Sequence, residues 1–87
     1  MAFRIQARRN RLLGSWAAKR MQLSPAEAEA YAKGVVQADF EESGEEDVVR
    51  KLLGDLILAG VEADEAEVRV ALKDCEAEAR RAFIGEA

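Results

Sequence analysis

Apolar side chains recur along the chain with a helical period, and the pattern divides it into four amphipathic segments. In the first, about residues 3–21, Ile5, Leu12, Leu13, Trp16 and Ala17 fall within one arc when successive residues are placed about 100° apart. Arg8, Arg11, Ser15 and Lys19 fall on the opposite side. Arg9 and Arg20 project within the apolar arc, where long stems cover apolar surface and the guanidinium groups reach water or a carboxylate. Gly14 costs about 1 kcal/mol relative to alanine inside a helix, which points to a neighbour approaching closely there.

The second segment, about residues 25–42, opens on the strongest local signal in the chain. Ser24 suits the cap, Pro25 the first helical position, and Glu27 reaches back to complete a capping box. Ala28, Tyr31, Ala32, Val35, Val36 and Ala38 form its inward face, and Asp39 lies in the same arc. A carboxylate on a core-facing stripe near a helix C-terminus is unfavourable unless paired, so an arginine partner is expected, with Arg9, Arg20 and Arg50 the candidates; the alternative is a solvated edge aspartate.

Gly44 is placed to close the second helix, and Ser43 with Glu46 to cap the third. That third segment, about residues 45–59, turns Val48, Val49, Leu52, Leu53, Leu56 and Ile57 to one side, with Glu46 and Arg50, and Asp47 and Lys51, spaced for pairs one turn apart. Gly60 ends it. Asp64 with Glu67 opens the fourth, about residues 65–84, where Val68, Ala71, Leu72, Cys75, Ala79, Ala82 and Phe83 share a face and Gly85 is expected to stop the helix. The expected fold is all-α, a single-domain four-helix bundle over residues 1–87. Its core should hold Leu12, Trp16, Tyr31, Val35, Leu52, Leu56, Leu72 and Phe83.

Composition narrows what such a bundle does. With 87 residues, 49% of them apolar and 34% charged, the chain suits one small globular domain whose core is modest, since a chain of this size buries about 60–65% of its unfolded surface. The net charge of −4 conceals an asymmetry: residues 1–23 hold six bases and no acid, while residues 24–87 hold seven bases and seventeen acids. The basic first helix therefore either pairs with the acidic remainder or faces an external anion. An arginine-rich, acid-free start also has the composition of an organelle transit peptide, but it carries residues the core needs.

There is no histidine and one cysteine, so neither a disulfide nor a cysteine/histidine zinc site is expected within one chain, and a reducing compartment is the simplest reading. Cys75 reads as an inert core thiol. The longest apolar run, Leu56 to Val61, is too short to span a bilayer, so no direct membrane insertion is expected. The acidic run from Asp39 to Asp47 lacks the alternating ligand positions of a calcium loop and reads as a solvated corner between helices. Catalytic constellations and glycine-rich phosphate loops are missing, so the chain reads as a binding module and not an enzyme, with no metal or cofactor. Exposed bases without interleaved aromatics, at a pI near 4.9, argue against nucleic acid. Arg8, Arg11 and Lys19 remain candidates for the phosphates of ATP or ADP as a regulatory ligand, or for an acidic protein surface. Composition leaves those alternatives, and simple internal pairing, open.

The runs Ala7 to Ala18, Leu23-Ser24, Ala26 to Lys33, Val35 to Glu42 and Glu46-Asp47-Val48 together strongly resemble the zeta-subunit family of alphaproteobacterial inhibitors of the F-type ATP synthase, also catalogued as a domain of unknown function. The resemblance runs from about Phe3 to Gly60 and more loosely through the fourth segment. It implies a four-helix bundle, a cytoplasmic location at the inner membrane through the ATP synthase, and the F1 head as partner. It further implies inhibition by an N-terminal segment that enters the catalytic head and blocks rotation during ATP hydrolysis. Contact with the head is expected from Phe3, Arg4, Ile5, Arg8, Arg9 and Arg11. Family members usually carry a further charged stretch ahead of Ala7-Arg8-Arg9-Asn10, whereas residues 1–6 here read as a remnant of that arm, so inhibition is expected to be weak or absent. The alternative is a nucleotide-binding or docking module without inhibitory activity.

Overall fold

Several helix boundaries are fixed by local devices, and packing places the four helices around one core. A computed structural model describes residues 2–41 and 44–86, and the side chains of 4–41 and 44–83. Its elements are α1 (Ala2–Arg20), α2 (Pro25–Glu41), α3 (Glu45–Leu58) and α4 (Glu65–Glu86). The all-α four-helix reading holds, and the radius of gyration of 12.3 Å matches the roughly 12 Å expected of a compact chain of this length.

The α1–α2 corner is a Schellman turn: Leu23 N–H donates to Ala18 C=O at 3.1 Å, and Gln22 N–H to Lys19 C=O at 3.1 Å. The left-handed position is held by Gln22, with φ 58°, where glycine is the usual choice. The capping box at α2 forms as expected, with Glu27 N–H donating to Ser24 Oγ at 3.2 Å and Ser24 N–H donating to Glu27 Oε1 at 3.0 Å. Those bonds hold the Glu27 carboxyl below its ordinary pKa. Gly60, at φ 81°, closes α3 with the same turn, and Val61 N–H reaches Leu56 C=O at 3.0 Å. Asp64 Oδ1 accepts from Glu67 N–H at 2.8 Å to open α4.

Two boundary expectations change. Gly44 sits at the N-cap of α3 without a side-chain cap bond, so it starts that helix instead of closing α2, and Ser43 lies outside the described residues. Helix α4 runs through Gly85 to Glu86, because glycine stops a helix only where the chain turns into the left-handed region, as at Gly60.

The core is built on Leu13, Val35, Leu52, Leu56, Val68 and Leu72, all fully buried. Trp16 and Tyr31 pack against it but remain half-buried, as do Leu12 and Phe83, so four of the eight expected core positions lie at its rim. Both rings that touch the core have polar company that keeps them at the edge. The Arg20 guanidinium lies 5.5 Å from the Trp16 ring centre and the Lys51 ammonium 5.6 Å from that of Tyr31. The Tyr31 hydroxyl donates to Asp55 at 2.6 Å, and burial together with that carboxylate pushes its pKa up. Ile57, expected inside, is 58% exposed. The expected pairs along α3 are also replaced: Glu46 goes to Arg69 of α4 at 2.7 Å, Arg50 to Asp47 at 3.2 Å, and Lys51 to Asp55 at 3.2 Å.

Helix α1 packs on all three others, most extensively on α2 and α4. Its approach to α2 is set by Gly14, where an added Cβ would lie 2.7 Å from the Ala32 Cα. Alanine normally stabilises a helix interior by about 1 kcal/mol over glycine. At Gly14 the sign should reverse: Gly14→Ala is expected to lower the urea-unfolding free energy by about 1–3 kcal/mol through overpacking. Gly54→Ala, where a Cβ meets nothing within 4 Å, should raise it by up to about 1 kcal/mol.

Candidate functional site

Helix α1 presents two chemically opposite surfaces. On the outer one, Arg4, Arg8, Arg11 and Lys19 are exposed. A rise of about 1.5 Å per residue spreads Arg4 to Arg11 over roughly 10 Å of the helix. Arg11 Nη2 lies 3.5 Å from Glu29 Oε1, a pair of half-exposed side chains that solvent and salt weaken. Arg8, Arg11 and Leu12 line a shallow depression with Glu78 and Ala82 of α4. Ile5 is half-buried beside this surface, and the Phe3 side chain lies outside the described residues.

The expected phosphate set is not brought to one point. Lys19 stands roughly 12 Å along the helix axis from Arg11. Glu78 places a carboxylate in the depression that Arg8 and Arg11 line, which opposes an anion there.

The inner surface is a buried polar cluster centred on Asp39, which is 4% exposed. Asp39 Oδ2 accepts from Gln6 Nε2 at 2.7 Å and from Asn10 Nδ2 at 2.6 Å, while Oδ1 accepts from Gly44 N–H at 3.2 Å. Arg9 supplies the counter-charge, with Nη2 3.6 Å from Asp39 Oδ2 and Nη1 3.6 Å from Glu76 Oε1 of α4. Its Nε and Nη2 also donate to Asn10 Oδ1 at 3.1 and 3.0 Å. Among the described residues no buried side-chain nitrogen or oxygen lacks a hydrogen-bond partner, so the cluster is complete.

Of the three candidate partners for Asp39, Arg9 is the one the fold delivers. Arg20 goes instead to Glu67 and to the Glu62 carbonyl, and Arg50 to Asp47. Arg9, which the family resemblance assigns to the partner contact, lies inside at 7% exposed, because Asp39 and Glu76 draw it in. Gln6, Asn10 and Glu76 join the cluster without being singled out by the sequence pattern. The signal available was that Gln6 falls within the apolar arc of α1 and Asn10 at its edge, positions where a polar side chain needs an internal partner.

The acidic stretch does not act as one patch. Asp39 turns inward, Glu45 pairs with Lys73 at 3.5 Å and Glu46 with Arg69. Among the described residues there is no group of three or more acidic or cysteine side chains placed to hold a metal ion, and no helix long and apolar enough to cross a membrane.

The family model for ATPase inhibitor subunit zeta matches residues 1–82. A protein whose solution NMR structure is known is 47% identical to this chain, with a TM-score of 0.84 over 100% of this chain and 99% of the other. Comparison with curated proteins finds no match.

Cys75, half-buried on the inner side of α4, has its pKa pushed up to about 11 from an ordinary 9.0 by burial and then by Glu78 and Asp74, against a smaller opposing pull from Arg9. At pH 8 its thiolate fraction should be about a hundredfold below that of an unshifted thiol. Alkylation of the native protein followed by mass spectrometry is expected to be slower than that of the urea-unfolded chain by about that factor. A raised acid pKa favours the folded state while the thiol is protonated, so this contribution should be constant below about pH 9 and fade as pH rises towards 11.

Proposed function

The chain belongs to the ATPase inhibitor subunit zeta family, and from that membership we propose that it binds the F1 catalytic head of a bacterial ATP synthase and restrains ATP hydrolysis by blocking rotation. Membership carries a general role as an inhibitor of the ATP synthase, a regulatory role for which the protein needs no catalytic group. Inhibition of this kind needs a surface that binds one rotary state of the head more tightly than the others, because a ligand shifts an equilibrium only by its differential affinity.

The observation that carries the reading is the row Arg4, Arg8 and Arg11 on the exposed face of α1, on a protein whose remaining helices are strongly acidic. Such a row recognises a complementary acidic surface, speeds encounter with it and fixes the orientation of docking. Phe3 and Ile5 are assigned to the same contact as apolar companions of the arginines. The work is done on the cytoplasmic side, at the head of the synthase.

The test is an ATPase assay on F1 from the same organism. The wild-type protein is expected to slow hydrolysis weakly, as the short segment ahead of Ala7 implies, and the double variant Arg4→Glu with Arg8→Glu to require about tenfold more protein for the same effect, with wild-type inhibition weakening as salt rises. Neither inhibition nor co-purification with F1 at about micromolar protein would remove the reading. Binding with no effect on hydrolysis would leave a docking module in place of an inhibitor.

A further inference from the structure

We propose that the part of α1 ahead of Leu13 is a latched arm, held on the bundle by the Asp39 cluster and releasable while the apolar core stays folded. The grounds lie in what attaches each half of the helix. From Leu13 onward α1 is anchored by apolar burial, with Leu13, Ala17 and Ala18 all fully buried. From Arg4 to Asn10 the buried side chains are Arg9 and Asn10, both polar, while Arg4 and Arg8 are exposed and Ile5, Gln6 and Ala7 half-buried.

The buried attachments of this first half converge on one carboxylate. Gln6, Arg9 and Asn10 all engage Asp39 Oδ2, Arg9 also reaches Glu76, and Arg11 meets Glu29 across solvent. The same carboxylate holds the Gly44 N–H at the start of α3, so the latch fastens the arm to the α2–α3 corner on one side and to α4 on the other. Polar attachment differs from apolar attachment in what its loss does. Water or an acidic partner can replace the bonds that Gln6, Asn10 and Arg9 make to Asp39, whereas nothing in water replaces the packing of Leu13.

Release has a defined consequence. Arg9, masked in the closed state, joins Arg4, Arg8 and Arg11 as a fourth cation on the same segment. The freed length, about ten residues, is too short to stay helical alone in water and would refold on a surface that offers it contacts. This consequence for the ATP synthase rests on the function proposed above, but the latch itself is a property of the isolated chain.

Amide hydrogen exchange on the whole protein tests it without the enzyme, so its failure is distinct from failure of the F1 reading. The reporters are amides 6–10, which have partners one turn back in α1, against those of Leu52, Leu56 and Leu72 in the core. Asp39→Asn leaves one acceptor oxygen where two are needed and sets a donor against a donor. Gln6→Ala and Glu76→Gln each remove one outer tie and serve if Asp39→Asn does not fold. Exchange at amides 6–10 is expected to quicken by about tenfold or more in Asp39→Asn, and by about threefold or more in the milder pair, with core amides changing by less than about twofold. Equal quickening of arm and core, or no change at amides 6–10 in any folded variant, would overturn the proposal.

Discussion

One buried carboxylate sets the arrangement on which the rest of the molecule depends. Asp39 accepts bonds from α1 on one oxygen and from the backbone at the start of α3 on the other, with Arg9 as its counter-ion. Burying a charge is costly, and a pair like this one contributes less to stability than its Coulomb attraction suggests. What it does contribute is orientation. For Gln6, Arg9 and Asn10 all to reach one side chain, α1 must sit at a single rotation about its axis, and that rotation points Arg4, Arg8 and Arg11 away from the bundle.

The division of labour within Arg8-Arg9-Asn10-Arg11 follows from helical geometry. Residues 9 and 10 fall on the side facing Asp39, and residues 8 and 11 on the far side, so neighbouring arginines of one motif have opposite fates. The two kinds of arginine differ in energetics as well as in place. Arg9 has carboxylates on two helices and little contact with water, so breaking its contacts would leave Asp39 without a counter-charge. Arg11 holds Glu29 across solvent and gives up little when it exchanges that partner for another. Arg11 is therefore chemically ready to trade that partner for an external acidic surface.

Close backbone packing supports this arrangement. Gly14 lets α1 settle against Ala32 of α2, and fully buried Ala17 and Ala18 keep α1 slim further along. A helix that contacts all three others has little room for large side chains on its inner face, which explains why Trp16 ends at the rim under Arg20 and Leu13 takes the centre. The polar cluster occupies the end of the α1 interface where the small residues stop. The bundle is therefore apolar along its middle and polar where the first half of α1 meets the α2–α3 corner.

The helices and several of their ends are legible in the chain because they rest on interactions a few residues apart: the Ser24 and Glu27 box, the Asp64 cap, the Gly60 turn and the apolar period of each segment. The sequence also marked Gly14 as a contact and Asp39 as a carboxylate in need of an arginine. Local rules failed where the decisive partner was remote or where an unusual residue filled a turn, as with Gln22 in the left-handed position. Which arginine met Asp39, that Gln6, Asn10 and Glu76 joined it, and that Arg9 turned inward while Arg8 and Arg11 stayed out were decided only by tertiary structure. Those choices depend on how three helices pack against α1, and hydrogen bonding between groups about thirty residues apart leaves no period in the chain from which to read it.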